Sequence, residues 1–151
     1  TAATLAGAET LSNKNILLAI PGSDHSVSGT IISLTATSNS AIGDIGYIAS
    51  TGKVSLAKGD AIATASAMVI CADATINADA AGNWLLSGVI RDDTWNWTVG
   101  GLVYLSITGT TGNTLTQTAP TATNNVVQII GVALSADVIY FNPQLIQVEH
   151  T

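Results

Sequence analysis

Thr94-Trp95-Asn96-Trp97-Thr98-Val99-Gly100-Gly101-Leu102-Val103-Tyr104-Leu105-Ser106-Ile107-Thr108-Gly109 opens a run of forty-three residues, ending at Ala136, without one charged side chain. Trp95 and Trp97 stand two apart, as do Val103 and Leu105, and glycines punctuate the run at Gly100-Gly101, Gly109 and Gly112. Short β-prone runs broken by Gly, Asn and Pro predict antiparallel strands joined by tight turns. A second stretch repeats the pattern. Ile42-Gly43-Asp44-Ile45-Gly46-Tyr47-Ile48-Ala49-Ser50-Thr51-Gly52 aligns with Val99 to Gly109 without a gap, keeping Gly, Tyr, Thr and Gly. Each copy is followed by an apolar strand, Ala67 to Cys71 in the first and Val127 to Val132 in the second, and then by Ala72-Asp73 or Ala136-Asp137. Two related β units, duplicated and fused, are the reading of such self-similarity.

The segment ahead of the repeats differs. Thr4 to Ile20 is rich in Ala and Leu without a helical stripe, and His25 to Ser40 alternates weakly through Val27, Ile31 and Leu34. The expected organisation is an N-terminal arm and first strand over residues 1–40 and a duplicated β domain over 41–151. Helix is expected to be minor, since Ala57 to Ala67, the one segment of helix-compatible composition, contains Gly59 and a run of small residues. The fold class is therefore all-β: an antiparallel sandwich or barrel of two related units with an extended arm.

Composition narrows function. Charged residues make up 9% of the 151, against about 25% in an ordinary soluble domain. A surface so poor in charge is prone to association, and self-association, with a trimer as the expected state, is one way to cover it. Net charge of −6 with four basic residues, Lys14, Lys53, Lys58 and Arg91, excludes the basic stripe that nucleic acid requires. No apolar run approaches the roughly 20 residues that span a bilayer. The start lacks the basic-then-apolar order of a retained signal peptide, and Thr1 without a preceding Met is what Met removal before a small residue leaves. Cys71 is the lone cysteine, in keeping with synthesis in a reducing cytosol.

Catalytic signals are absent from the residue pattern. His25 and His150 have no metal-ligand spacing, the aspartates form no calcium loop, and the serines beside Gly52 and Gly88 lack a nucleophile elbow. No enzyme, cofactor or metal is expected. Charge and aromatics converge once, where Asp92 and Asp93 precede Trp95 and Trp97. Aromatic faces stack on pyranose rings and carboxylates hold hydroxyls, so Asp92, Trp95 and Trp97 are candidates for a glycan site. Read as one strand, Trp95 and Trp97 share a face while Asp92 and Asp93 point apart. The competing account makes Asp92-Asp93 a solvated loop and these aromatics a sheet cap or subunit interface.

The blocks Asp93 to Gly101, Val103 to Ser106, Leu115 to Pro120, Val127 to Ala133 and Asp137 to Pro143, in that order, resemble the C-terminal region of tailed-bacteriophage virion proteins, a group that includes capsid decoration proteins and fibre domains. The resemblance covers about residues 42–150 and carries no catalytic residues. It implies a virion structural protein, foremost a decoration or cement protein made in the host cytoplasm and placed on the outer surface of the head, with the phage major capsid protein as partner. The arm, with Leu5, Leu11, Ile16 and Leu17, is the candidate capsid contact. The alternative is a tail-fibre or receptor-binding module using Asp92, Trp95 and Trp97 on a glycan.

Overall fold

The computed structural model describes residues 17–151. Its strands, in chain order, are β1 (Ser26–Thr35), β2 (Ser40–Ala41), β3 (Ile45–Ile48), β4 (Val54–Leu56), β5 (Val69–Cys71), β6 (Thr75–Ile76) and β7 (Ala81–Arg91), then β8 (Leu102–Thr110), β9 (Asn113–Thr116), β10 (Val126–Val127), β11 (Ile129–Ala133), β12 (Val138–Phe141) and β13 (Val148–Glu149). No described segment is helical, so none forms a helix long and apolar enough to cross a membrane. The expectation of an all-β, antiparallel fold holds, and the main sheet curls into a nearly closed barrel.

The order along that sheet is β4-β3-β5-β7-β12-β11-β8-β9. It reads alike from both ends. Hairpin β3–β4 matches hairpin β8–β9, β5 beside β3 matches β11 beside β8, and β7 meets β12 in the middle. The backbone echoes the sequence repeat at its glycines: Gly43 and Gly100, in turns, precede the two tyrosine strands at φ 81° and 76°, and beyond the tyrosines Gly52 in a bend and Gly109 near the end of β8 stand at 76° and 59°. Only glycine takes these angles without strain, which is why the repeat preserves it. The two outer hairpins draw together. The Gly59 amide donates to the Ser106 carbonyl at 2.8 Å, and the Ile45 amide donates to Thr114 Oγ1 at 2.9 Å.

β1 is bound into the sheet along its whole length, pairing antiparallel with β7 from Ser26↔Arg91 to Thr35↔Ala81. The opposite edge of β7 is shared, by β5 at Trp84 and Leu85 and by β12 from Gly88 to Arg91. Between these partners Leu86 is the extra residue of a bulge. Gly29 opposes Gly88 there, and a Cβ on either would overlap the other strand's backbone, so the ribbon passes from one half to the other only because both are glycine.

Alternate residues of β5 and β7 feed two cores. Ile70 and Leu85 join Ile45, Ile90, Val103, Leu105, Ile130, Ile139 and Phe141 in the core enclosed by both units. Val69, Cys71 and Trp84 face the other way and pack with Ala36, Val54 and Ile76. Cys71 is fully buried, and desolvation pushes its thiol pKa up to about 12. It behaves as a small hydrophobe.

Candidate functional site

Asp92 follows β7 directly and turns the chain. Its Oδ1 accepts from the Thr94 amide at 2.8 Å and from Thr94 Oγ1 at 2.6 Å, and its carbonyl accepts the Trp95 amide at 3.1 Å. The segment from Asp92 to Gly101 is consequently a loop, as the competing account has it for Asp92 and Asp93, and not a strand carrying Trp95 and Trp97 on one face. Local side-chain bonding to backbone amides has overridden the β propensity of the tryptophans. Asp92 points inward, with 6% exposure. Asp93 points outward and takes both the Nε and an Nη of Arg91, which raises the guanidinium pKa further.

The tryptophans meet through the loop. The Trp97 amide donates to the Ala136 carbonyl at 2.8 Å, and the indoles sit 5.6 Å apart between centroids at 56°, a tilted geometry that aromatic pairs favour. Trp95 lies over Gly43, whose absent Cβ would stand 2.7 Å from Trp95 Cζ2. Trp97 Nε1 is enclosed and meets no acceptor among the described residues. Buried orphan donors are rare in native folds.

Between this loop and the turn preceding β3 lies a cavity of about 360 Å³. Trp95, Trp97, Ile42 and Leu115 supply its apolar wall, and Asp92, Asp44, His25 and Thr94 its polar one. Asp44 is 1% exposed. Its oxygens accept from the Ala41 and Gly112 amides, each at 2.8 Å, yet desolvation outweighs these bonds and raises its pKa. His25, at φ 52°, places Nε2 3.8 Å from Asp92 Oδ2 and 3.7 Å from Asp24 Oδ2. The Asp93 amide, donating to Asp24 Oδ1 at 2.8 Å, holds the Asp24 carboxyl below the usual carboxylate range.

The structure thus gathers Asp92, Trp95 and Trp97 around one cavity, as the glycan alternative requires, and adds His25 and Asp44, which the sequence did not connect with them. Asp24, His25 and Asp92 offer atoms within 4.8 Å of one another, but Asp24 and His25 are exposed, and no fourth such ligand joins them among the described residues. Of the candidate capsid contacts, Leu17 is 86% exposed; Leu5, Leu11 and Ile16 lie outside the described residues. Comparison of the chain with family models, with curated proteins and with solved structures yields no significant match.

Proposed function

We propose that this chain is a structural protein of a virion, a decoration protein that binds the outside of the assembled head as a homo-oligomer. The observation that carries this reading is the apolar surface near both ends of the described chain. Leu17 and Ile20 at one end and Leu145, Ile146 and Val148 at the other are each at least 60% exposed, on a chain with only 9% charged residues. Where exposed aliphatic side chains of this kind cluster, a partner is the usual cover. A protein that binds only the assembled lattice stabilises it by mass action. The decisive experiment mixes purified protein with undecorated heads: co-sedimentation at hundreds of copies per particle, with a raised disruption temperature, supports the reading. Failure to co-sediment removes it.

One observation favours a second reading, a receptor-binding module of a tail fibre. It is the cavity beneath Trp95 and Trp97, where an indole wall faces a buried carboxylate. Copy number separates the two readings, since a fibre module occurs in tens per virion or fewer.

A further inference from the structure

We infer that this cavity binds a neutral saccharide unit and rejects anionic sugars. The inference rests on the second reading, whose ligand class it names.

The size fits. A cavity of about 360 Å³ lies within the range of small-ligand sites, which pair apolar walls with a few fixed polar groups. The indoles of Trp95 and Trp97 present apolar surface to the C–H face of a pyranose. The polar wall holds an unfilled position. Asp92 Oδ1 is occupied by Thr94, whereas Oδ2 takes no hydrogen bond among the described residues, although the side chain is only 9% exposed. His25 Nε2 stands 3.8 Å from it, too far for a direct hydrogen bond. One hydroxyl oxygen between them, about 2.8 Å from each, donates to the carboxylate and pairs with the imidazole.

Charge decides the class of sugar. No Lys or Arg lines the cavity. Arg91, the nearest such side chain in sequence, is engaged by Asp93 and by the Pro21 carbonyl. Asp92 and Asp44 line the wall and Asp24 stands beside His25, so a uronate or sialate carboxylate meets like charge with no Lys or Arg to offset it, an arrangement that discriminates by repulsion. An organic cation is served less well than a polyol. Asp44 is already committed to Ala41 and Gly112, and two tilted indoles do not make an aromatic cage.

The test titrates the intact protein with methyl glycosides of glucose, galactose and N-acetylglucosamine, with N-acetylneuraminic acid and with choline, following tryptophan fluorescence and the indole N–H resonances. A saturable response to at least one neutral glycoside, with none to the acid or to choline, is the expected result. Asp92→Asn keeps the acceptor for Thr94 and should weaken binding about tenfold, the worth of one charge-assisted hydrogen bond, at an unchanged melting temperature. His25→Ala, on an exposed residue, should weaken it too. No saturable response to any neutral glycoside, preference for the acid or choline, or full affinity in both variants overturns the inference. Binding of the protein to an anionic cell-surface polysaccharide would sink the inference and keep the fibre reading. Neutral-glycoside binding by a protein present in hundreds of copies on the head would do the reverse.

Discussion

Asp44 Oδ1 accepts the Gly112 amide at 2.8 Å across 68 positions of sequence, tying the turn that opens the first repeat to the hairpin that ends the second. The same carboxyl also accepts the Ala41 amide at 2.8 Å, so losing an acceptor oxygen here leaves an amide without a partner, which is costly. Asp44→Asn leaves one oxygen for two amides and should destabilise the fold by about 1–3 kcal/mol, as read by urea denaturation. The pH dependence has a defined sign. Burial raises the folded-state pKa of Asp44, so its contribution is full below the ordinary aspartate value of about 3.9 and declines as pH rises through the folded value. The margin between wild type and variant should be widest in acid and narrow toward neutrality. A margin that widens with pH contradicts this.

Gly43 seats Trp95. Alanine there meets the indole and must also adopt φ 81°, so Gly43→Ala should cost about 1–3 kcal/mol and shift the emission of Trp95 as the ring is displaced. Ala at Gly52, which also has positive φ but open space around it, should show the backbone part of the cost without the spectral change.

Gln128 is 1% exposed and closes three backbone groups: it accepts the Ala67 amide at 3.0 Å and donates to the Ala67 and Gln144 carbonyls. Gln128→Leu would orphan all three. A loss of at least about 3 kcal/mol, three unsatisfied groups at roughly 1–3 kcal/mol each, is expected in thermal or denaturant unfolding.

Cys71 should resist thiol reagents in the folded state. With its pKa pushed up to about 12, the thiolate is scarce at pH 8 and the sulfur is enclosed. Labelling by a disulfide reagent should proceed at the rate of global opening and become immediate in denaturant; fast labelling of the native protein would show that β5 is open to solvent.

Sedimentation velocity at micromolar concentration should report a species heavier than the 15.3 kDa chain, with a trimer as the expected state. Replacing Leu145 and Ile146, both more than 70% exposed, by serine should lower the association without altering the melting of the β domain. A wild-type monomer would remove the main support for a role in a virion lattice.

The parts of the fold legible in the sequence are those set by local chemistry. Gly43, Gly52 and Gly100 mark turns because positive φ is required there, and the apolar run around Val69 reads as a strand because both of its faces are covered. The weak alternation through Val27, Ile31 and Leu34 suffices to place β1. The loop at Asp92 is legible only as one of two accounts, because Trp-x-Trp has the composition of a strand while the neighbouring aspartate bonds Thr94 and turns the chain. The meeting of His25 with Asp92, and of Asp44 with Gly112, depends on how distant segments pack, and no periodicity encodes it.

The mirrored strand order has a consequence for cooperativity. Although the two units are related in sequence, the principal core takes Ile45, Ile70 and Leu85 from one and Leu105, Ile130 and Phe141 from the other, and β7 carries partners from both. Neither unit completes the principal core alone, and separating them would expose the β7 and β12 edges at once. Duplication here has built halves that complete each other, so the chain should melt in one transition, with no half surviving as an autonomous folding unit.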